Sequence, residues 1–287
     1  MNGAKLLLGF LFALHVLTSA HSDPPRMAKG ENIDLGDAVI KTLTPTLRLY
    51  LIRHGETLAN IQKVVVGQLD SPLTKLGQRQ ATALGNSSIL KDVKFWRRYT
   101  SDLQRTQHTA RLVDGQHHFT LDERLREIAK GARQGFPKSY TMDQCMECFK
   151  DRPEEIPKLE SSDDAWKRLS SWMLQLLQEA RDEEATVRNG AVSNNARSIL
   201  IVSHSGTIRL LLHKLVPDAH PLLQDSGDTT GALEDSKRFQ IPNTSLTILN
   251  VSMTPNFVSH DPKAQCLEQE FAADLITLNW IDHFSNL

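Results

Sequence analysis

From residue 46 onward the apolar positions switch repeatedly between a two-residue and a helical period. Leu47, Leu49 and Leu51 alternate and lead a strand that ends at Arg53. Thr74 is placed to cap a helix from Lys75 to about Leu84. Phe95-Trp-Arg-Arg-Tyr-Thr100 predicts a second strand, after which Asp102 could cap a helix carrying Leu103, Ala110 and Val113. His118-Phe-Thr-Leu121 predicts a short third strand. Trp166, Leu169, Trp172, Met173, Leu176, Leu177 and Ala180 follow helical spacing, so they predict an amphipathic core helix. Ser198-Ile-Leu-Ile-Val-Ser203 has the unbroken apolar character of a central parallel strand covered on both faces. A helix from Gly206 to Val216 follows, then strands at Ser245–Val251 and Asp274–Trp280. Segment 218–238 reads as a surface insertion, and 131–162 as a lid or an insertion. Strands alternating with helices predict one α/β domain over 46–287, a three-layer sandwich with a mostly parallel central sheet flanked by helices.

The start of the chain has a different pattern. Lys5 precedes the apolar run Leu6-Leu-Leu-Gly-Phe-Leu-Phe-Ala-Leu-His-Val-Leu17, and Thr18-Ser19-Ala20 follows. A basic residue, an apolar stretch and small residues predict a secretory signal peptide over 1–20, cleaved after Ala20 or, as an alternative, after Ser22. The run is short of the ~20 residues that cross a bilayer, which disfavours an uncleaved anchor. Residues 21–45 are polar, without periodicity, and read as a linker. The destination expected is secreted or lumenal. Three sequons, at Asn86, Asn243 and Asn250, are compatible with that route.

Composition narrows the class only a little. The chain is 40% hydrophobic and 23% charged, with a formal net charge of −1. That balance argues against a nucleic-acid-binding surface over the whole molecule and leaves room for a local basic pocket. Three cysteines (Cys145, Cys148, Cys266) are too few for a disulfide framework, so free thiols or one optional disulfide are expected. No metal-ligand spacing stands out, and no cofactor is called for.

Chemistry enters at two strand ends. The first predicted strand runs into His54, and the strand ending at Ser203 runs into His204. Glycine and hydroxyl residues follow each histidine and lead into a helix. In a parallel sheet ligands sit beyond the carboxyl ends of the strands, and helix N-termini there favour anions. Two imidazoles and the Arg53 guanidinium therefore point to one anion-binding rim. His108, His117, His118 and His213 read as surface or loop residues.

Leu51-Ile-Arg-His-Gly-Glu-Thr-Leu-Ala-Asn60 resembles the signature of the histidine phosphatase superfamily, which includes phosphoglycerate mutases and fructose-2,6-bisphosphatases. Gly67-Gln-Leu-Asp-Ser-Pro-Leu-Thr-Lys-Leu-Gly77, Ser101-Asp-Leu-Gln-Arg-Thr-Gln-His-Thr-Ala110, Leu125-Arg-Glu-Ile128 and Val202-Ser-His-Ser-Gly206 resemble its later motifs, in order. The tail Leu278-Asn-Trp-Ile-Asp-His283 is similar as well. The resemblance implies His54 as nucleophile, Arg53 and Arg105 as phosphate clamps, and Glu127 as general acid and then base. It implies charge stabilisation by His204 if protonated, with Asn60 and the Gly67 backbone as further donors. The activity implied is hydrolysis of a small phosphorylated metabolite through phosphohistidine, without a metal.

Departures from the family pattern bear on which member this is. Ser205 stands where glycine is frequent, and Val66 where mutases carry a hydroxyl. After Glu127, Ile-Ala-Lys-Gly-Ala-Arg-Gln-Gly135 lacks the mutases' continuation, which favours net hydrolysis over re-addition of the phosphate. A phosphoglycerate-type mutase and a non-catalytic binding protein with the same pocket are the alternatives. Arg124, Arg126, Lys130, Arg133 and Lys138 cluster around Glu127, either as a second anion site or as a solvated face. Asn243, in Ile241-Pro-Asn-Thr244, resembles a family turn near the pocket, so its sequon is expected to be unoccupied.

Overall fold

The computed structural model describes residues 45–186, 196–219, 239–253 and 271–286. The expected signal peptide, nearly all of the linker, Cys266 and almost all of the 218–238 insertion lie outside these residues.

Six strands form one sheet: β1 (Leu47–Arg53), β2 (Arg97–Thr100), β3 (Thr120–Leu121), β4 (Arg197–Ser203), β5 (Leu246–Met253) and β6 (Phe271–Trp280). Their order is β3-β2-β4-β1-β5-β6. The first four run parallel, whereas β5 and β6 are antiparallel additions on the β1 side. Helices α1 (Leu58–Ile61), α2 (Lys75–Gly85), α3 (Ser88–Lys91), α4 (Gln104–Asp114), α5 (Met142–Glu147), α6 (Ser162–Thr186) and α7 (Ser205–Leu215) complete the described elements, with short 3-10 turns. This is the expected three-layer sandwich with a mostly parallel core.

The alternation of side chains along a strand sorts the two cores. Leu47, Leu49 and Leu51 of β1 join Trp172, Met173 and Leu176 of α6 and Leu211 of α7 on one face. Tyr50 and Ile52 join Ala81 and Leu84 of α2 and Ala110 and Val113 of α4 on the other. Because both faces are covered, β1 and β4 need no polar side, which explains the unbroken apolar run of β4.

Several boundaries differ from expectation. Phe95 and Trp96 lie outside β2, and His118 and Phe119 outside β3. Asp102 does not cap α4: the N-cap is Leu103, without a side-chain bond, because the Asp102 carboxylate is taken by Arg126. Helix α7 begins one residue early, at Ser205, with His204 as its N-cap, and ends at Leu215. Helix α6 extends the expected stripe at both ends. β6 begins at Phe271, and β5 runs two residues past Val251. The 131–162 segment is partly ordered into α5 and 3-10 turns. It is tied to the scaffold by bridges Val64–Pro137 and Lys130–Leu159. Within it Cys145 is a buried free thiol and Cys148 an exposed one, so no disulfide joins them.

Candidate active site

β1 and β4 are parallel neighbours in register Arg53–Ser203, so their carboxyl ends deliver His54 and His204 to the same rim. The His54 N–H donates to the Ser203 carbonyl at 3.0 Å. The two imidazole rings lie 5.4 Å apart, centroid to centroid, and both are buried. The turn after His54 is tightly built. Gly55 N–H donates to Thr109 Oγ1 of α4 at 2.9 Å, and a Cβ on Gly55 would sit 2.6 Å from the Gly77 carbonyl oxygen. Thr57 then starts α1 with a capping box closed by Asn60.

The tautomer of His54 follows from its neighbour. Nδ1 is 2.8 Å from the Gly55 carbonyl, an acceptor only, so Nδ1 carries the proton and Nε2 keeps its lone pair. Burial, then Arg105 and Arg53, pushes the His54 pKa well below 6.5. Burial, Arg105 and the neighbouring His54 do the same to His204, neither of whose ring nitrogens has a hydrogen-bond partner among the described residues. Both shifts favour the neutral imidazole over the protonated one in the free site.

Arg105 is 2% exposed, which removes the reading of a surface helix arginine. Its Nη1 donates to the Leu69 carbonyl at 2.5 Å and its Nη2 to the Gly67 carbonyl at 2.8 Å. The Gly67 carbonyl is turned onto Arg105 by a φ of +55° that suits glycine. A Cβ there would also collide with the Gln134 side chain. Arg53 Nη1 donates to the Ile241 carbonyl at 2.6 Å. Burial brings the Arg53 pKa down to about 10, partly offset by Glu127, so it stays cationic near neutral pH. The Nε atoms of both arginines are buried without hydrogen-bond partners among the described residues.

Glu127 reaches the rim from the loop after β3. Its Oε2 accepts the Gly206 N–H at the start of α7 at 3.0 Å, and Oε1 accepts its neighbour Ile128 N–H at 2.9 Å. Desolvation raises its pKa. Lys130, the two N–H bonds and Arg105 together outweigh that and hold it below the usual value. The loop is pinned by Ser203 Oγ on the Leu125 carbonyl and Thr207 Oγ1 on the Arg126 carbonyl, both at 2.8 Å.

Asn60 joins through Asn243, whose amide donates to the His54 carbonyl at 2.9 Å and to Asn60 Oδ1 at 3.3 Å. Asn60 Oδ1 also accepts the Thr57 N–H, so its amide N–H groups are the end left for an anion. Arg209 of α7, buried and close enough to lower the Arg53 pKa, is a basic neighbour that the motifs did not mark. The expected basic cluster is split. Arg124 forks onto Asp122 and Arg126 onto Asp102, while Lys130 faces Glu127. Among the described residues, no three His, Cys, Asp or Glu side chains group as metal ligands.

The model of the histidine phosphatase superfamily, branch 1, matches residues 49–258. The chain belongs to that superfamily. Fructose-2,6-bisphosphatase TIGAR of Bos taurus is 29% identical over 261 residues, covering 76% of this chain and 93% of that protein. The broad-specificity phosphatase YOR283W of Saccharomyces cerevisiae is 28% identical over 207 residues, covering 67% and 83%. The solved alpha-ribazole phosphatase of Shigella flexneri superposes with a TM-score of 0.53 at 26% identity, covering 82% of this chain and 96% of that one. This histidine phosphatase fold thus places the rim at the carboxyl ends of β1 and β4, beside the N-terminus of α7.

Proposed function

We propose that the chain hydrolyses small phosphomonoesters through a phosphohistidine at His54, using no metal ion. The observation that carries this is the fixed tautomer of His54, a neutral imidazole with its Nε2 lone pair held beside two guanidiniums. Nε2 attacks phosphorus, the ester P–O bond breaks, and the leaving oxygen takes a proton from Glu127. Glu127 then removes a proton from water, the hydroxide attacks phosphorus, and the P–N bond breaks to release inorganic phosphate.

Arg53, Arg105, Asn60 and the N–H end of His204 neutralise the phosphoryl oxygens, with Gly67 acting by holding Arg105. Glu127 is ionised in the free site. An arriving phosphate raises its pKa by like-charge repulsion, and a phosphate monoanion brings the proton that Glu127 passes on. Phosphatase relatives support hydrolysis. So does the residue after Glu127: Ile128 is buried in the apolar core and offers no anion contact.

A quenched reaction with labelled phosphoester should place the label on His54. Label elsewhere, or full turnover by His54→Ala, would reject the assignment. Activity should survive chelator treatment. With phosphoglycerates, phosphate release should outpace isomer exchange; the reverse makes the chain a mutase. We also propose entry into the secretory route with loss of residues 1–20, which rests on the N-terminal pattern. An intact Met1 on protein recovered from that route would defeat it.

A further inference from the structure

The tip of β1 is wrapped by residues 241–244, and the backbone at Thr244 is unusual. Thr244 is fully buried with a φ of +52°, a left-handed conformation that a β-branched residue avoids. In that conformation its N–H points at the Arg53 carbonyl at 3.0 Å and the His54 carbonyl at 3.4 Å. These are the carbonyls of the two residues that present the guanidinium and the nucleophile. A strained residue persists only where its surroundings hold it.

The Thr244 hydroxyl lies 3.0 Å from His283 Nε2, contributed from the last turn of the described chain. The His283 ring is buried, stacked on Trp280 at 5.2 Å and edge-on to Phe284 at 4.3 Å. Its packing fixes the ring, and the ring fixes the hydroxyl.

We infer that His283 is a positioning residue for the phosphoryl-transfer site: its imidazole holds the Thr244 hydroxyl, and through it the left-handed backbone that carries Arg53 and His54. Its kinetic readout rests on the phosphatase reading above. Arg105 is anchored separately, by the Gly67 and Leu69 carbonyls, so substrate capture depends less on His283 than turnover does.

His283→Ala should lower kcat roughly 10- to 100-fold while KM changes less than about threefold. Thr244→Val, which keeps His283 but removes the hydroxyl, should show the same loss. Glycine adopts this φ unaided, so in a Thr244→Gly background the further change His283→Ala should leave kcat unaltered. Wild-type kcat in folded His283→Ala, or losses that simply add in the double variant, would overturn the inference. If His283→Ala does not fold, wild-type kcat in Thr244→Val overturns it instead. The carbonyl carbon NMR signals of Arg53 and His54 should move in Thr244→Val, and unmoved signals also overturn it. That readout needs no turnover, so a chain inactive on every phosphoester would sink the phosphatase reading alone.

Discussion

The Gly206 N–H donates to Glu127 Oε2 at 3.0 Å, and the carboxylate sits this close because residue 206 has no side chain. A methyl group there would collide with Glu127 Oε1. The contact joins the start of α7 to the loop after β3, so one glycine sets where the proposed acid stands relative to His204.

Gly206→Ala should therefore displace Glu127 without dismantling the sheet. The expected result is a loss in kcat of about 10²- to 10⁴-fold, the range of a lost general acid. The far-ultraviolet circular dichroism should be unchanged. The loss should shrink for aryl phosphates, whose leaving groups need no proton. Equal losses for aryl and alkyl esters would show that Glu127 is not the proton donor.

Arg105 is held by two backbone carbonyls, which fixes the plane of its guanidinium. A lysine keeps the charge and loses the fork. Arg105→Lys should cost about 10²- to 10³-fold in kcat/KM, as for loss of one fixed donor to a developing oxyanion. Arg105→Met should also lower stability by about 1–3 kcal/mol, because the Gly67 and Leu69 carbonyls lose their donor. Steady-state kinetics beside urea titration separates the two effects. A lysine variant with wild-type kcat/KM would remove Arg105 from the clamp.

How far the site was legible in the sequence depended on chain distance. Arg53, His54 and His204 sit at strand ends, where local pattern suffices to find them, while Glu127 was marked by the family resemblance of its short motif. Arg105 was visible as a motif, but its burial was not, since the Gly67 and Leu69 carbonyls that hold it lie more than thirty residues away. Asn243 and Thr244 meet His54 and Arg53 across nearly two hundred residues, and His283 meets Thr244 from the far end of the domain. The family resemblance placed Asn243 near the pocket, whereas no spacing encodes the contacts of Thr244 and His283. Asp102 shows the same limit within the fold: local propensity makes it a cap, and its ion pair with Arg126 overrides that choice.

Burial of aromatic rings should dominate stability on the α6 face. Trp172 is fully buried and meets Tyr99 edge-on at 5.6 Å, joining α6 to β2. Trp172→Ala should cost about 3–5 kcal/mol, and Trp172→Phe clearly less because most of the volume remains. Equilibrium denaturation checks the order; equal costs would mean that the ring contact, not the volume, carries the effect.

The two neutral imidazoles make stability depend on pH in a definable direction. Folded His54 and His204 titrate well below 6.5, whereas in the unfolded chain they take up protons near that value. Below about pH 6.5 the unfolded state binds more protons, so stability falls as pH falls and is fully present above it. The slope is at most about 1.4 kcal/mol per pH unit for each imidazole. Glu127, whose folded pKa is lowered, acts in the same direction but only near and below the ordinary carboxylate range, outside a window of pH 5 to 6.5. Urea unfolding across that window should show the decline, and His204→Asn should reduce its slope. Inorganic phosphate should flatten it by favouring protonated imidazole in the folded state. Activity should behave differently: kcat/KM reports the free enzyme, so no acid limb from His54 should appear between pH 7 and 6. A decline in kcat/KM with an apparent pKa near 6.5, traced to His54 by its NMR titration, would mean that the burial seen here does not set the nucleophile's charge.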